Sequence, residues 1–140
     1  MASAGKPSTL NTDHQSILLV DDEVFLLDLV REILEEVGYD VTALANGAAA
    51  FQAFSAAPSK FDLVIADERM PGLSGTDLSE RILQIRSDVP IILHTDYPTS
   101  TSVKRAEAIG VSAIVSKSYS MSQLITHIRR LLHPGSRTDR

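Results

Sequence analysis

Apolar residues along this chain follow two rhythms that take turns. Short, almost unbroken apolar runs at residues 17–20, 61–66 and 90–93 have the pattern of strands buried on both faces, where alternation with polar residues is not needed. Residues 40–44 and 112–116 predict two further strands. Between these runs the apolar positions spread to spacings of three and four. Val24, Leu27, Val30, Leu34 and Val37 predict a helix that stops at Gly38, and residues 48–57 a second helix that ends before Pro58. Leu78, Ile82 and Ile85 mark a third. A weaker helix covers residues 99–109, with Val103 and Ile109 as its main large apolar anchors, and stops at Gly110. Leu124, Ile125, Ile128, Leu131 and Leu132 make a last amphipathic helix.

Five strands that alternate with five helices imply right-handed crossovers. The expected fold class is α/β, a doubly wound five-stranded parallel sheet with helices on both faces. In such sheets ligands bind beyond the carboxyl ends of the strands, near the point where strand order reverses. The residues to inspect are therefore those just past strands one, three, four and five.

Composition narrows the picture further. The 140 residues suffice for one domain, and 44% hydrophobic with 22% charged residues is a globular balance. Residues 1–16 and 134–140, rich in small and polar residues, are expected to form a flexible leader and tail around a domain at 17–133. No apolar run is long enough for a membrane span, and the leader has no signal-peptide core, so the cytoplasm is the expected location. No cysteine is present, which excludes disulfide and thiol chemistry. A net charge of -5 argues against direct nucleic-acid binding through the whole surface.

The strand ends carry the chemistry. Strand one runs into Asp21-Asp22-Glu23, strand three into Asp67, strand four into Thr95 and strand five into Lys117. Three carboxylates at the end of a buried sheet repel one another unless a cation is present. A hard divalent ion such as Mg²⁺, held by a few carboxylate oxygens, answers that repulsion and commonly shares a phosphate. One carboxylate can then act as nucleophile toward phosphorus, while a lysine neutralises phosphoryl oxygens and a threonine donates a hydrogen bond. Asp67 is set up for such chemistry, because Met70-Pro71-Gly72 turns the chain away immediately after it. Taken singly, an Asp after a strand is a turn former or helix cap, and a lone Lys is solvated. Here all of them fall on the face that the fold reserves for ligands.

The stretches "ILLVDDE", "DERMPGLSG", "IILHTD" and "GVSAIVSK" occur in the order and spacing of the two-component receiver domains. Residues 17–133 resemble that response-regulator family. The resemblance implies the flavodoxin-like strand order 2-1-3-4-5. It implies that Asp67 is the phosphoacceptor, that Asp21, Asp22, Asp67 and the backbone carbonyl of Arg69 hold Mg²⁺, and that Thr95 and Lys117 contact the phosphoryl group. It further implies a sensor histidine kinase or histidine phosphotransfer protein as donor. With no effector domain after residue 133, a single-domain regulator would signal to a downstream protein through its surface, at the last two helices and strand five. Such a protein is no enzyme beyond its own phosphotransfer and dephosphorylation.

Three positions depart from the family pattern. Asp96 follows the threonine where a small residue is usual, Ser118 replaces the usual proline after the lysine, and Ile114 stands where an aromatic often acts as a switch. Asp96 either caps the following turn or helix or acts on the chemistry by charge and bulk. Asp96 and the missing switch aromatic keep open a binding module that has dropped phosphorylation. A phosphohydrolase of the haloacid-dehalogenase kind would need an acid where Arg69 stands, and a flavin carrier would not place Asp21-Asp22-Glu23 in its phosphate loop. His14, His94, His127 and His133 read as structural or solvated.

Overall fold

The computed structural model describes residues 15–96, 99–118 and 120–133; the expected leader up to residue 14, with His14, and the tail from residue 134 lie outside them. Five strands and five helices alternate without exception: β1 Ser16–Val20, α1 Val24–Val37, β2 Asp40–Leu44, α2 Gly47–Ala56, β3 Leu63–Ala66, α3 Gly75–Ile85, β4 Ile91–His94, α4 Ser100–Ile109, β5 Ala113–Val115 and α5 Met121–Leu132. The sheet order is β2-β1-β3-β4-β5 and every neighbouring pair is parallel. Order reverses between β1 and β3, which places the crevice predicted for ligands at their carboxyl ends.

The pleat divides the core into two layers. Leu18, Val20, Val64, Ala66, Ile91 and Leu93 face α2, α3 and α4, where they meet Ala50, Phe54, Leu78, Ile82 and Ala106. Ile17, Leu19, Leu63, Ile65, Ile92 and Val115 face α1 and α5, against Leu27, Val30, Leu34, Leu124 and Ile128. The central strands are buried on both faces, as their unbroken apolar runs require.

Several boundaries differ from those read in the sequence, each for a local reason. Ser16, assigned to the leader, opens β1, because its N–H donates to Asp62 Oδ2 at 2.8 Å. Phe61 is buried yet lies outside β3, its carbonyl accepting from Arg86 Nη1. Val24, which shares the apolar spacing of α1, is 56% exposed, since the helix turns its first residues away from the sheet. In α4, Val103 and Ile109 are only half-buried and Ala106 is the fully buried residue. That helix is tied to α3 by Arg105, whose Nη2 lies 2.7 Å from Asp77 Oδ1 and 2.9 Å from Glu80 Oε1. The Lys117–Ser118 peptide is trans, as Ser118 in place of proline leads one to expect.

Candidate functional site

Backbone hydrogen bonds run one residue past the strands and set the height of the site. Asp67 N–H donates to the Val20 carbonyl, Thr95 N–H to Val115 and Lys117 N–H to Thr95. Asp21, Asp67, Thr95 and Lys117, which span most of the sequence, thus emerge side by side at one end of the sheet.

Asp21 and Asp67 are each only 4% exposed, and Asp22 beside them is half-buried. One carboxylate oxygen from each of the three lies within 4.8 Å of the others. The Lys117 ammonium is the internal counter-ion: Nζ is 2.9 Å from Asp21 Oδ2, 3.3 Å from Asp67 Oδ2 and 3.2 Å from Glu23 Oε2. Burial pushes the Asp67 carboxyl above the usual carboxylate range; Lys117 pulls it back and Asp21 pushes it further up. Asp21 is likewise raised by burial, against the lowering effect of the Glu23 N–H and of Lys117. Burial also works against the Lys117 charge, but hydrogen bonds and attraction from Asp21, Asp67 and Glu23 prevail and hold its pKa above the ordinary lysine value. One buried cation does not satisfy this acidic cluster.

The loop after Asp67 is built to hold that carboxylate still. Gly72 adopts φ 82°, a left-handed conformation that a side chain would resist, and completes the turn begun by Pro71. Chain direction is then fixed by Glu68, whose Oε1 accepts from both the N–H (2.8 Å) and the Oγ1 (2.7 Å) of Thr76. Ser74 caps α3 by accepting from the Asp77 N–H. Gly75 passes so close to Asp67 that a Cβ there would drive into the Asp67 carbonyl oxygen. Arg69 N–H donates back to Asp67 Oδ1 at 3.4 Å.

Asp22, Glu23, Asp67, Arg69, Thr95, Asp96 and Lys117 line an open cleft of about 330 Å³. Thr95 Oγ1 is buried beside it and has no hydrogen-bond partner among the described residues. An unpaired buried hydroxyl is costly unless it serves something that arrives later. His94 is 6% exposed, and burial, with Lys117 adding to it, brings its imidazole down to about 4. Asp96 is exposed and does not cap α4. That role belongs to Thr99, which forms a reciprocal capping box with Ser102.

The sequence reading assembled Asp21, Asp22, Asp67, Thr95 and Lys117 at this end of the sheet, and the structure brings all five together. Glu23, Glu68 and Gly75 were not singled out for the parts they play. The first two act across contacts that no local spacing reveals, and the third is a glycine in a stretch already read as a turn. The hard oxygen donors of Asp21, Asp22 and Asp67 suit a divalent cation such as Mg²⁺, and their mutual repulsion calls for one. A second feature adjoins the cleft. Val24 (56% exposed), Phe25 (94%) and Leu29 (52%) form an apolar patch on α1 that shares Glu23 with the site.

Comparison with known proteins agrees with this geometry. The family model for the response regulator receiver domain matches residues 17–129. The chain is 35% identical over 124 residues to the sensory transduction protein RegX3 of Mycobacterium tuberculosis, a match covering 89% of this chain and 53% of that protein. The chain therefore spans about half the length of the curated relatives it matches. Among solved structures it resembles a CheY-like receiver domain protein from Methanospirillum hungatei, with a TM-score of 0.83, 26% identity, and coverage of 87% of this chain and 96% of that one. It also resembles the response regulator TrrA of Thermotoga maritima, solved in complex with Mg²⁺ and BeF, with a TM-score of 0.76, 32% identity, and coverage of 84% and 98%. Among the described residues no helix is long and apolar enough to cross a membrane.

Proposed function

The chain belongs to the response regulator receiver domain family, and from that premise we propose that it is a phosphoacceptor switch in which Asp67 receives a phosphoryl group. The observation that carries this reading is the meeting of Lys117 with Asp21 and Asp67 next to the orphaned Thr95 hydroxyl. Asp67 is the central carboxylate. It stands at the tip of β3, ahead of the turn that the Glu68–Thr76 contact fixes, and lines the cleft.

Asp21, Asp22 and Asp67, with the Arg69 carbonyl, would hold Mg²⁺. Bound there, the ion would supply positive charge against the phosphoryl oxygens and let the three carboxylates stay ionised together. Asp67 attacks as the carboxylate. Lys117, already protonated and buried, exchanges some of its contact with Asp67 for the transferred group, and Thr95 Oγ1 donates to a phosphoryl oxygen, filling its empty hydrogen-bonding capacity. The protein catalyses its own phosphorylation and dephosphorylation and no other turnover.

The donor is a sensor histidine kinase or a histidine phosphotransfer protein. A protein bringing phosphohistidine to Asp67 has to cover the mouth of the cleft, and the Val24, Phe25 and Leu29 patch borders that mouth through Glu23. Exposed aromatic and aliphatic side chains of this kind mark protein contact sites. The output to a downstream protein lies at α4, β5 and α5, which meet at the open edge of the sheet.

Incubation with acetyl phosphate or a phosphorylated kinase tests the reading. One phosphoryl group per chain should appear with Mg²⁺, and none with EDTA or in Asp67→Asn. Failure of every donor would return the chain to a binding module on a receiver scaffold.

A further inference from the structure

The loop that follows Asp67 is bound to the first turn of α3 by a chain of short contacts. Gly75 N–H donates to the Glu68 carbonyl at 3.1 Å, and a Cβ on Gly75 would drive into the Asp67 carbonyl oxygen. Glu68 Oε1 accepts from both the N–H and the hydroxyl of Thr76, a residue 1% exposed. The next residue, Asp77, donates its N–H to Ser74 Oγ at 3.0 Å and places its Oδ1 2.7 Å from Arg105 Nη2 of α4. Three consecutive residues of one helical turn thus link the Asp67 loop to α4.

Little else holds α4, so a small displacement of its anchor matters. Of its residues Ala106 alone is fully buried, and the helix leans on α3 more than on any strand. Its N-terminal cap is closed within itself by Thr99 and Ser102. Arg105 ties it to α3, with Nη2 also 2.9 Å from Glu80 Oε1 in the second turn. Strand β5 offers no comparable link, since Ile114, packed on the same layer, is stiff at χ1 and has no polar group to change partners. We propose that the first turn of α3 and the Asp77–Arg105 pair carry the state of Asp67 to α4, so that an occupied cleft tightens the docking of that helix. The proposal rests on Asp67 being the phosphoacceptor.

The sign follows from what a ligand does to the loop. A phosphoryl group on Asp67 adds contacts at the head of the loop and restricts its freedom. Glu68 transmits that restriction to Gly75 and Thr76, and Arg105 then meets an Asp77 already in place, which lowers the cost of ordering the pair. Two half-exposed ion pairs sharing one arginine shift an equilibrium by about fivefold, and salt screens them. The coupling is reciprocal, so a firmly docked α4 raises the affinity of the cleft for its ligand by the factor through which the ligand tightens α4. Asp77 and Glu80 differ here. Both hold Arg105, but only Asp77 lies in the turn bonded to the Asp67 loop.

Amide exchange of the full chain with Mg²⁺, at increasing concentrations of beryllofluoride as phosphoryl mimic, reads both the α4 response and the apparent affinity. In the wild type the mimic should slow exchange across α4 about fivefold. Arg105→Gln should exchange about fivefold faster there without the mimic, lose the response, and bind the mimic about two- to fivefold more weakly, while the Asp67 loop still responds. Arg105→Lys keeps the charge and should keep the response. Asp77→Asn should lose it, whereas Glu80→Gln should loosen α4 and retain it. A response that survives in Arg105→Gln and Asp77→Asn overturns the proposal, as does one lost only in Ile114→Ala, which would assign the signal to β5. Equal effects of Asp77→Asn and Glu80→Gln would reduce Arg105 to a clamp and overturn it too. A wild-type loop that responds while α4 does not overturns this proposal alone; a wild type that responds nowhere overturns the phosphoacceptor reading and the proposal with it.

Discussion

Replacing Asp67 by asparagine should make the metal-free protein more stable. The substitution keeps shape and hydrogen-bonding oxygen but removes a charge from a site that holds too many of one sign. Three carboxylates contribute oxygens no more than 4.8 Å apart. At an effective dielectric of ~20, a like-charge pair at that separation costs about 3.5 kcal/mol, which is what Asp21 imposes on Asp67. Its attraction to Lys117 at 3.3 Å returns about 5 kcal/mol on the same scale. Burial of the Asp67 charge, the largest effect on its carboxyl, adds to this repulsion and together with it outweighs the pairing with Lys117, while the half-exposed Asp22 adds little. The balance favours the amide by about 1–2 kcal/mol, or roughly 3–6 °C in Tm for a domain of this size. Thermal unfolding by circular dichroism in EDTA reads this directly. Added Mg²⁺ should then raise the Tm of the wild type more than that of Asp67→Asn, which has lost a charged ligand. A lower Tm for Asp67→Asn in EDTA would refute the reasoning, since the Lys117 pairing would then outweigh the crowding of carboxylates.

Other outcomes follow from single contacts. Phe25→Ser should slow transfer from a protein donor while leaving acetyl phosphate kinetics and stability unchanged, because Phe25 is 94% exposed and touches only what docks; equal slowing with both donors would remove the patch from donor docking. His94 has its pKa lowered by burial from 6.5 to about 4, so between those values the unfolded chain binds more protons and stability falls as pH falls, by about 2–3 kcal/mol across the window. Urea unfolding at pH 7 and pH 4.5 should show that loss in the wild type and a smaller one in His94→Leu. Gly75→Ala should cost about 2 kcal/mol or more, since its Cβ meets the Asp67 backbone rather than a yielding side chain; unfolding at the wild-type denaturant midpoint would show that the α3 start gives way freely.

The sheet was legible because its strands are buried on both faces. Ile17, Leu18, Leu19 and Val20 have no polar alternation to confuse with a helix, and the order of acidic and basic residues at the strand ends is a strong local signal. Less legible were features made by residues far apart in the chain. The Lys117 bridge to Glu23 spans 94 positions, and Arg86 reaches back to the Phe61 carbonyl over 25. Periodicity marked the apolar spacing of α1 but not where that spacing leaves the sheet, and Val24, which shares it, lies in the exposed patch. Asp96 was ambiguous between cap and charge until Thr99 and Ser102 were seen to close the cap between themselves.

The central claim is that Asp67, among the three clustered carboxylates, takes the phosphoryl group. Borohydride reduces an aspartyl phosphate to homoserine, which peptide mass mapping places in the sequence. After phosphorylation with Mg²⁺ the account predicts homoserine at position 67 and unmodified aspartate at positions 21 and 22, with no conversion when EDTA is present. Homoserine at position 21 or 22, or conversion that does not depend on a divalent ion, would contradict it.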